Sequence, residues 1–468
     1  PMPSPATPAT TTRNLIIDYQ DVILAASAAV AGDPAATAGF TPGFDLPELT
    51  DQVRRFFAPA VATWRPLGEH AGHSIQLMDL TGNPGTQTTK TFASTVIVAR
   101  AVEHIRRTGE AVCIFTPTSA NKGIALRDAV GRALAAGLAE PDQLSVAVLA
   151  PPTTAHKFRT DPLAADPDLR ARNPLLRLAG GAGPEEVKAL GRAFVDRYGP
   201  EAADHGVQLW FSLDLRNYLV ADAARAAFEA DVAPTTTGRP RWHAHAVSSA
   251  YGLLGYNLGR DVLEAGGRAD AADRPGLLLV QHLGTPDMVL SLRHGRVARE
   301  DVPTYRPDPT GVWRQDAAVE VDPRFPVATD DPAEVLDPTF YTHRPATSAA
   351  MNDLIRRHGG DGIVVSRREC EARYPQLRAW MAAADRPLPP DPGQLREWSL
   401  VMALTGVLNA IDRGLVPAGH EIVVHGSGSY AEGDYTVLEP DAHVATVDDI
   451  AAAVLPPRRS SGPARHAS

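Results

Sequence analysis

Thr118-Ser119-Ala120-Asn121-Lys122-Gly123-Ile124-Ala125-Leu126 is the stretch whose reading decides the fold. It follows the apolar run Ala111-Val112-Cys113-Ile114-Phe115, which has the length and content of a buried strand, and it opens a helix-like segment from Lys122 to Ala136. A small-residue turn between a strand and a helix leaves the first helical N–H groups without internal acceptors. Such a turn is a ready anion site, to which Asn121 adds a side-chain donor. A ligand carboxylate could dock there, although a capped helix start with no ligand has the same sequence.

Upstream, the run Ser74-Ile75-Gln76-Leu77-Met78-Asp79-Leu80 reads as a strand and Ala93 to Arg107 as a helix. Between them lies Thr81-Gly82-Asn83-Pro84-Gly85-Thr86-Gln87-Thr88-Thr89-Lys90. Of 45 Lys+Arg residues only four are lysines, Lys90, Lys122, Lys157 and Lys188. Arginine serves as a surface cation but is not deprotonated in proteins, whereas a lysine amine can become a nucleophile or form a Schiff base. A lysine retained at a strand-to-helix junction among hydroxyls is therefore a candidate cofactor anchor, with an exposed loop lysine as the alternative.

Working outward, strand-like runs at Ser145 to Leu149, Gln208 to Phe211, Gly276 to Val280, Gly362 to Val365 and Glu421 to Val424 alternate with helix-like segments. The latter are Pro184 to Arg197, Leu219 to Ala230, Leu253 to Ala265 and Arg396 to Arg413. That alternation predicts an α/β fold with buried, largely parallel sheets. The Pro/Asp-rich text from Asp301 to Pro345 reads as a long ordered insertion or cap, and Pro456 to Ser468 as a disordered tail. A net charge of -10 argues against nucleic acid as a partner. Two cysteines, Cys113 and Cys370, form neither a disulfide framework nor a zinc spacing, which suits a reducing cytoplasm. Pro1 to Thr12 lacks a basic n-region and an apolar core. No run approaches the roughly 18 apolar residues of a membrane span, so neither secretion nor membrane insertion is expected.

Two further loops carry chemistry. Trp242 to Val247 leads into Ser248-Ser249-Ala250-Tyr251-Gly252, a polar loop before a helix and a candidate phosphate cradle. His243 and His245 would share a strand face, but no third or fourth ligand stands at metal-binding spacing, so no metal is expected. Glu421 to Val424 ends in His425-Gly426-Ser427-Gly428-Ser429-Tyr430, where glycines admit a flat ligand and Ser427 offers a hydroxyl.

Thr118 to Leu126 resembles the Ser-Ser-Gly-Asn-Thr-Gly-Ile-Ala-Leu segment of the fold-type II pyridoxal-phosphate enzymes, the superfamily of tryptophan synthase β, cysteine synthase and threonine synthase. Leu77 to Leu80 through Asn83 to Lys90 is similar to the threonine synthase anchor, and Asp18-Tyr19-Gln20-Asp21-Val22-Ile23-Leu24 to that family's N-terminal part. The resemblance covers, loosely, residues 15 to 290 and 360 to 435. It implies two lobes, each a mostly parallel sheet flanked by helices. Residues 13–94 plus 216–440, with the 301–345 insertion, would form the larger cofactor-binding lobe, and 95–215 a smaller mobile lobe. Residues 1–12 and 441–468 would be tails.

The resemblance further implies pyridoxal 5'-phosphate as cofactor and a small amino acid as substrate, and it is compatible with a homodimer. Lys90 would form the Schiff base and move protons, Asn121 would bind the cofactor's 3′ oxygen, and Thr118, Ser119 and Ala120 the substrate α-carboxylate. Ser248, Ser249, Ala250, Tyr251 and Gly252 would bind the phosphate, and Ser427 would face the pyridine nitrogen, with His425 or Ser429 as neighbours for that place. Lys157 with Arg159, and Arg216 with Lys122, are candidates for meeting a leaving anion. The chain departs from the family pattern at Thr91, where an Asp is usual, at Ala120, where a Gly is usual, and in a glycine-poor phosphate loop. The implied reaction is β/γ-elimination or replacement on an activated amino acid, threonine synthase-like or cysteine synthase-like. A hydroxyl facing the pyridine nitrogen cannot hold it protonated as a carboxylate would, so transamination is disfavoured. A catalytically altered binding or scaffold protein of the same fold is the alternative.

Overall fold

The computed structural model describes residues 10–32, 39–180, 183–235, 240–319 and 321–455. Two sheets organise them. The larger has seven strands in the order Thr11–Asn14, Val61–His70, His73–Asp79, Glu421–Gly426, Arg241–Ala246, Gly276–His282, Gly360–Val365. Its first three pair antiparallel and the remaining junctions are parallel. The smaller sheet is parallel throughout, in the order Ala442–Val444, Leu175–Leu178, Leu144–Ala150, Ala111–Pro117, Val207–Phe211. Helices cover its parallel strands, which are buried almost end to end, as an apolar run without alternation requires.

Every strand-like run read from the sequence is a strand here, and the class is α/β. Val61–His70, with Pro66 and Gly68 in it, was not foreseen; a register shift at Pro66/Gly68 absorbs those residues at an antiparallel pairing. Arg396 belongs not to a helix but to the short strand Leu395–Glu397, which pairs with Tyr430–Ala431; the helix begins at Ser399. The segment from 441 is no tail: Ala442–Val444 closes an edge of the smaller sheet, and the Val447–Val454 helix buries Ile450 against it. At the other end Thr11–Asn14 is an edge strand, so the expected boundary at residue 12 falls inside structure. The expected disorder of 1–9 and 456–468 lies outside the described residues.

Among its described residues the 301–345 insertion forms a three-stranded ribbon, Tyr305–Pro307, Trp313–Gln315 and Ala328–Thr329, and its later part meets the smaller lobe through Asp337 and Lys157. One apolar core spans both lobes. The helices Lys90–Thr108, Asn121–Ala135 and Leu215–Val232 lie in it, joining Trp64 and Met78 of the larger sheet to Ile114 and Trp210 of the smaller. No helix among the described residues is long and apolar enough to cross a membrane.

Candidate active site

His73–Asp79 and Glu421–Gly426 run parallel in register, Gly426 opposite Asp79, so the loops leaving them stay side by side. Thr89 N donates to Ser427 O at 2.8 Å and Ser429 N to Gln87 O at 3.1 Å. Side chains fix the rest of the loop. Asp79 Oδ1 accepts from Thr81 N and Oγ1, Asn83 Oδ1 from Gly85 N, and Thr86 and Thr91 share a 2.6 Å hydrogen bond. A Cβ on Gly85 would lie 2.4 Å from Asp128 Oδ1, so any larger residue must displace that carboxylate. This scaffold delivers Lys90 as the first residue of its helix. Its Nζ stands 5.2 Å from the centroid of the Tyr218 ring and, among the described residues, has no hydrogen-bond or ion-pair partner. Burial holds the amine below the usual lysine range, and Arg225 adds to the effect against the opposing pull of Asp222 and Glu397.

Ala111–Pro117 delivers the second loop. Thr118 Oγ1 accepts from Ala120 N and Gly123 N, pinning the turn. Ala120 takes φ 132°, a conformation that suits glycine. Asn121 Nδ2 donates to Glu397 Oε2 at 2.6 Å, and Tyr430 Oη donates to Asn121 Oδ1 at 2.9 Å. Burial and the neighbouring Asp337 carboxylate raise Glu397 above the usual range.

Arg241–Ala246 delivers the third, Ser248 to Gly252, in which Ala250 is left-handed and the helix starts at Tyr251. Its first N–H groups have no acceptor within the helix. A Cβ on Gly252 would fall 2.5 Å from Arg225 Nη1, so glycine lets this fully buried guanidinium lie directly under the loop. Arg225 Nη2 donates to Asp222 Oδ1 and Thr89 Oγ1, both at 2.6 Å, while Nε has no partner among the described residues. Arg225 Nη1 meets His425 Nδ1 at 3.1 Å. A guanidinium only donates, so His425, held neutral by burial and by nearby His243 and Arg225, carries its proton on Nε2. That proton goes to His243 Nδ1 at 2.8 Å, and His243 Nε2 donates to Glu229 at 3.0 Å. His425 is thus committed to this buried chain, whereas Ser427 Oγ is buried without a partner and Ser427 lines the cavity.

The three loops enclose a cavity of about 300 Å³. Lys90, Thr118, Ser119, Asn121, Ser248 to Gly252 and Ser427 line it; Ala120 only shapes the turn. Lys157 and Arg159 do not line it. Lys157 Nζ is buried 2.8 Å from Asp337 Oδ1 and 3.8 Å from Glu397 Oε2. Arg159 stacks on Tyr430 and Tyr435, 4.5 and 4.6 Å from their centroids, and donates to Gln87. Both hold the smaller lobe to its neighbours. His243 and His245 gather no metal-ligand cluster among the described residues. Sequence reading missed Asp222, Arg225, Glu397 and Thr339 to Thr342, all on the wall. A charged i,i+3 pair in the otherwise alanine-rich Leu215–Val232 helix was the available signal for the first two. For Glu397 there was none, since its strand pairing is non-local.

The fold is shared with solved structures. Threonine synthase from Escherichia coli superposes with a TM-score of 0.52 at 14% identity, covering 95% of this chain and 91% of that one. Threonine synthase from Brucella melitensis, solved with the cofactor bound, gives 0.48 at 12%, covering 81% and 72%. Serine racemase from Dictyostelium discoideum gives 0.47 at 11%, covering 88% and 98%. By sequence the chain belongs to DUF6002, a family of unknown function, whose profile matches residues 11–457. No curated protein matches it.

Proposed function

We propose that this chain is a pyridoxal-phosphate-dependent enzyme that eliminates or replaces a leaving group on the β or γ carbon of an amino acid. The carrying observation is Lys90, a half-buried amine facing the cavity at the meeting of three loops, with no hydrogen-bond or ion-pair partner among the described residues. The residues present fit the cofactor. Lys90 would hold its aldehyde carbon, and Ser248 to Gly252, with Arg225 beneath, would hold its phosphate. Asn121 keeps one N–H beyond its bond to Glu397 for the 3′ oxygen, and the orphaned Ser427 Oγ would take the pyridine nitrogen. When bound, the cofactor supplies an electron sink for charge developing at the substrate Cα.

The chain's own groups do the remainder. The Thr118 to Asn121 turn orients the substrate carboxylate toward its N–H groups. Lys90 takes the Cα proton, a task eased by the desolvation that lowers its amine below the usual lysine range. Thr339 to Thr342, tied to the phosphate loop by Ser248 Oγ to Thr342 Oγ1 at 2.9 Å, covers the cavity and excludes water.

Borohydride reduction of the cofactor-loaded protein followed by peptide mapping tests this: the pyridoxyl mass belongs on Lys90. A label on Lys122 or Lys188, or none, overturns the reading. A second reading, a binding or scaffold protein, is favoured by the engagement of Asn121 with both Glu397 and Tyr430. It requires a cofactor spectrum that stays static against activated serines and homoserines.

A further inference from the structure

All four lysines of this arginine-rich chain stand at or directly behind the cavity, and the reading above uses only Lys90. Lys90, Lys122 and Lys188 line it, while Lys157 touches its wall through Glu397. Lys122 is buried at the start of the Asn121–Ala135 helix, and its Nζ is 5.8 Å from the centroid of Tyr218, the ring that Lys90 also approaches. Nζ donates to Ser212 O at 2.6 Å, which fixes the amine and leaves its other protons free. The groups facing it are Lys90, Asp214, Tyr218 and that carbonyl, and none of them is an ion-pair partner: Asp214 is claimed by Arg216 at 2.7 Å. Burial first, then the Lys90 charge, lowers the amine to about 7. Lys188 differs, for it is paired with Glu185 at 3.0 Å and lies on Tyr341 at 4.7 Å; Tyr341 and Glu185 raise its amine despite the opposing effect of burial.

We propose that Lys122 is a catalytic residue that protonates the departing atom, so that the substrate of this site is an amino acid carrying a hydroxyl on the β carbon. The inference rests on the proposed elimination chemistry. In the step, Lys90 Nζ takes the Cα proton, the Cα–H electron pair becomes the second Cα–Cβ bond, and the Cβ–O bond breaks with its pair leaving on oxygen. A proton from the Lys122 ammonium then completes water. Hydroxide is too basic to leave unassisted, and a donor titrating near the working pH is the effective acid. Arginine at this place would keep the charge without the transferable proton.

The test compares initial rates of the cofactor-loaded wild type, K122R and K122M on L-serine and on β-chloro-L-alanine, whose chloride needs no proton. Retained cofactor absorbance and thermal midpoint establish that the variants fold. We expect both variants to lose ~100-fold or more on serine and only a few-fold on chloroalanine. Equal losses on both substrates, or a wild type that does not turn over serine, overturn the proposal. Competitive acetylation of the cofactor-free protein gives a readout independent of turnover. Lys122 should reach half-reactivity near neutral pH, and an amine titrating above pH ~9 is equally fatal. Failure of these arms with the pyridoxyl label still on Lys90 removes the role of Lys122 alone; a label elsewhere removes the cofactor reading itself.

Discussion

Lys157, buried, and Lys90, half-buried against the cavity, both stand at the joint between the lobes, and their surroundings are opposite. Lys157 meets two carboxylates, Asp337 at 2.8 Å and Glu397 at 3.8 Å; Lys90 meets an aromatic ring and, among the described residues, no hydrogen-bond or ion-pair partner. Asp337 is in turn saturated by donors from Thr339 and from Trp398 N. Burial opposes its ionisation, but Lys157 and those donors outweigh burial and hold it below the usual carboxylate range. A buried charge with its counter-charge is a fastening between chain segments. A buried amine without one has a desolvation cost that folding alone does not explain, and such groups gather where chemistry is done.

The sharpest way to break the contrast is to remove each amine in turn. Lys157→Met leaves the Asp337 carboxylate buried and uncompensated, and losing one partner of a buried pair costs about 3–5 kcal/mol. The measurement is chemical unfolding of the cofactor-free protein. Lys90→Met removes a half-buried amine that has no partner among the described residues and should leave stability unchanged or raised, while abolishing the borohydride label. A Lys90→Met variant as damaged as Lys157→Met would show that the two sites are fastenings of the same kind.

A smaller effect comes from pH. Lys122 is lowered to about 7 in the folded chain, against about 10.4 when unfolded. Between those values the unfolded chain binds the proton and the folded chain does not, so stability rises with pH. Below about 7 the cost of burying the ammonium is fully present, and it is relieved as pH climbs toward 10. The stability of wild type relative to Lys122→Met should therefore climb by ~1 kcal/mol per pH unit from pH ~7.5 to ~9.5. A flat difference would mean that Lys122 is solvated in the folded protein.

The same contrast marks what was legible in the sequence. Strand runs and helix periodicity identified the elements around Lys90, and the scarcity of lysine singled out the residue. The loops after Phe115, Val247 and Val424 could be placed because each follows an apolar run, and a parallel sheet brings such strand ends to one edge. Lys157 was misjudged for the converse reason. Its partner Asp337 lies 180 residues away in a Pro/Asp-rich insertion without periodicity, and nothing local shows that the insertion returns to the smaller lobe. Glu397 escaped similarly, since only its pairing with Tyr430–Ala431 turns it into the cavity wall.

The smallest expected effect sharpens the comparison at the turn that carries Asn121 and Lys122. Ala120 sits at φ 132° and ψ -65°, in the space of glycine, and it is fully buried. Holding a non-glycine residue in such a region costs about 1–3 kcal/mol. The hydrogen bonds of Thr118 Oγ1 to the N–H groups of Ala120 and Gly123 are what keep it there. Ala120→Gly relieves the strain but adds freedom to the unfolded chain worth about 0.4–1 kcal/mol, so the net gain should be ~1 kcal/mol in chemical unfolding. Ala250→Gly, at φ 52° in the ordinary left-handed basin, should gain less. If Ala120→Gly stabilises and cofactor binding is unchanged, the strain is a passive legacy of the sequence. If it stabilises and weakens retention of the substrate carboxylate, the alanine stiffens the turn for its ligand. Destabilisation by Ala120→Gly would mean that the alanine methyl, packed in the core shared by the two lobes, is worth more than the strain it imposes.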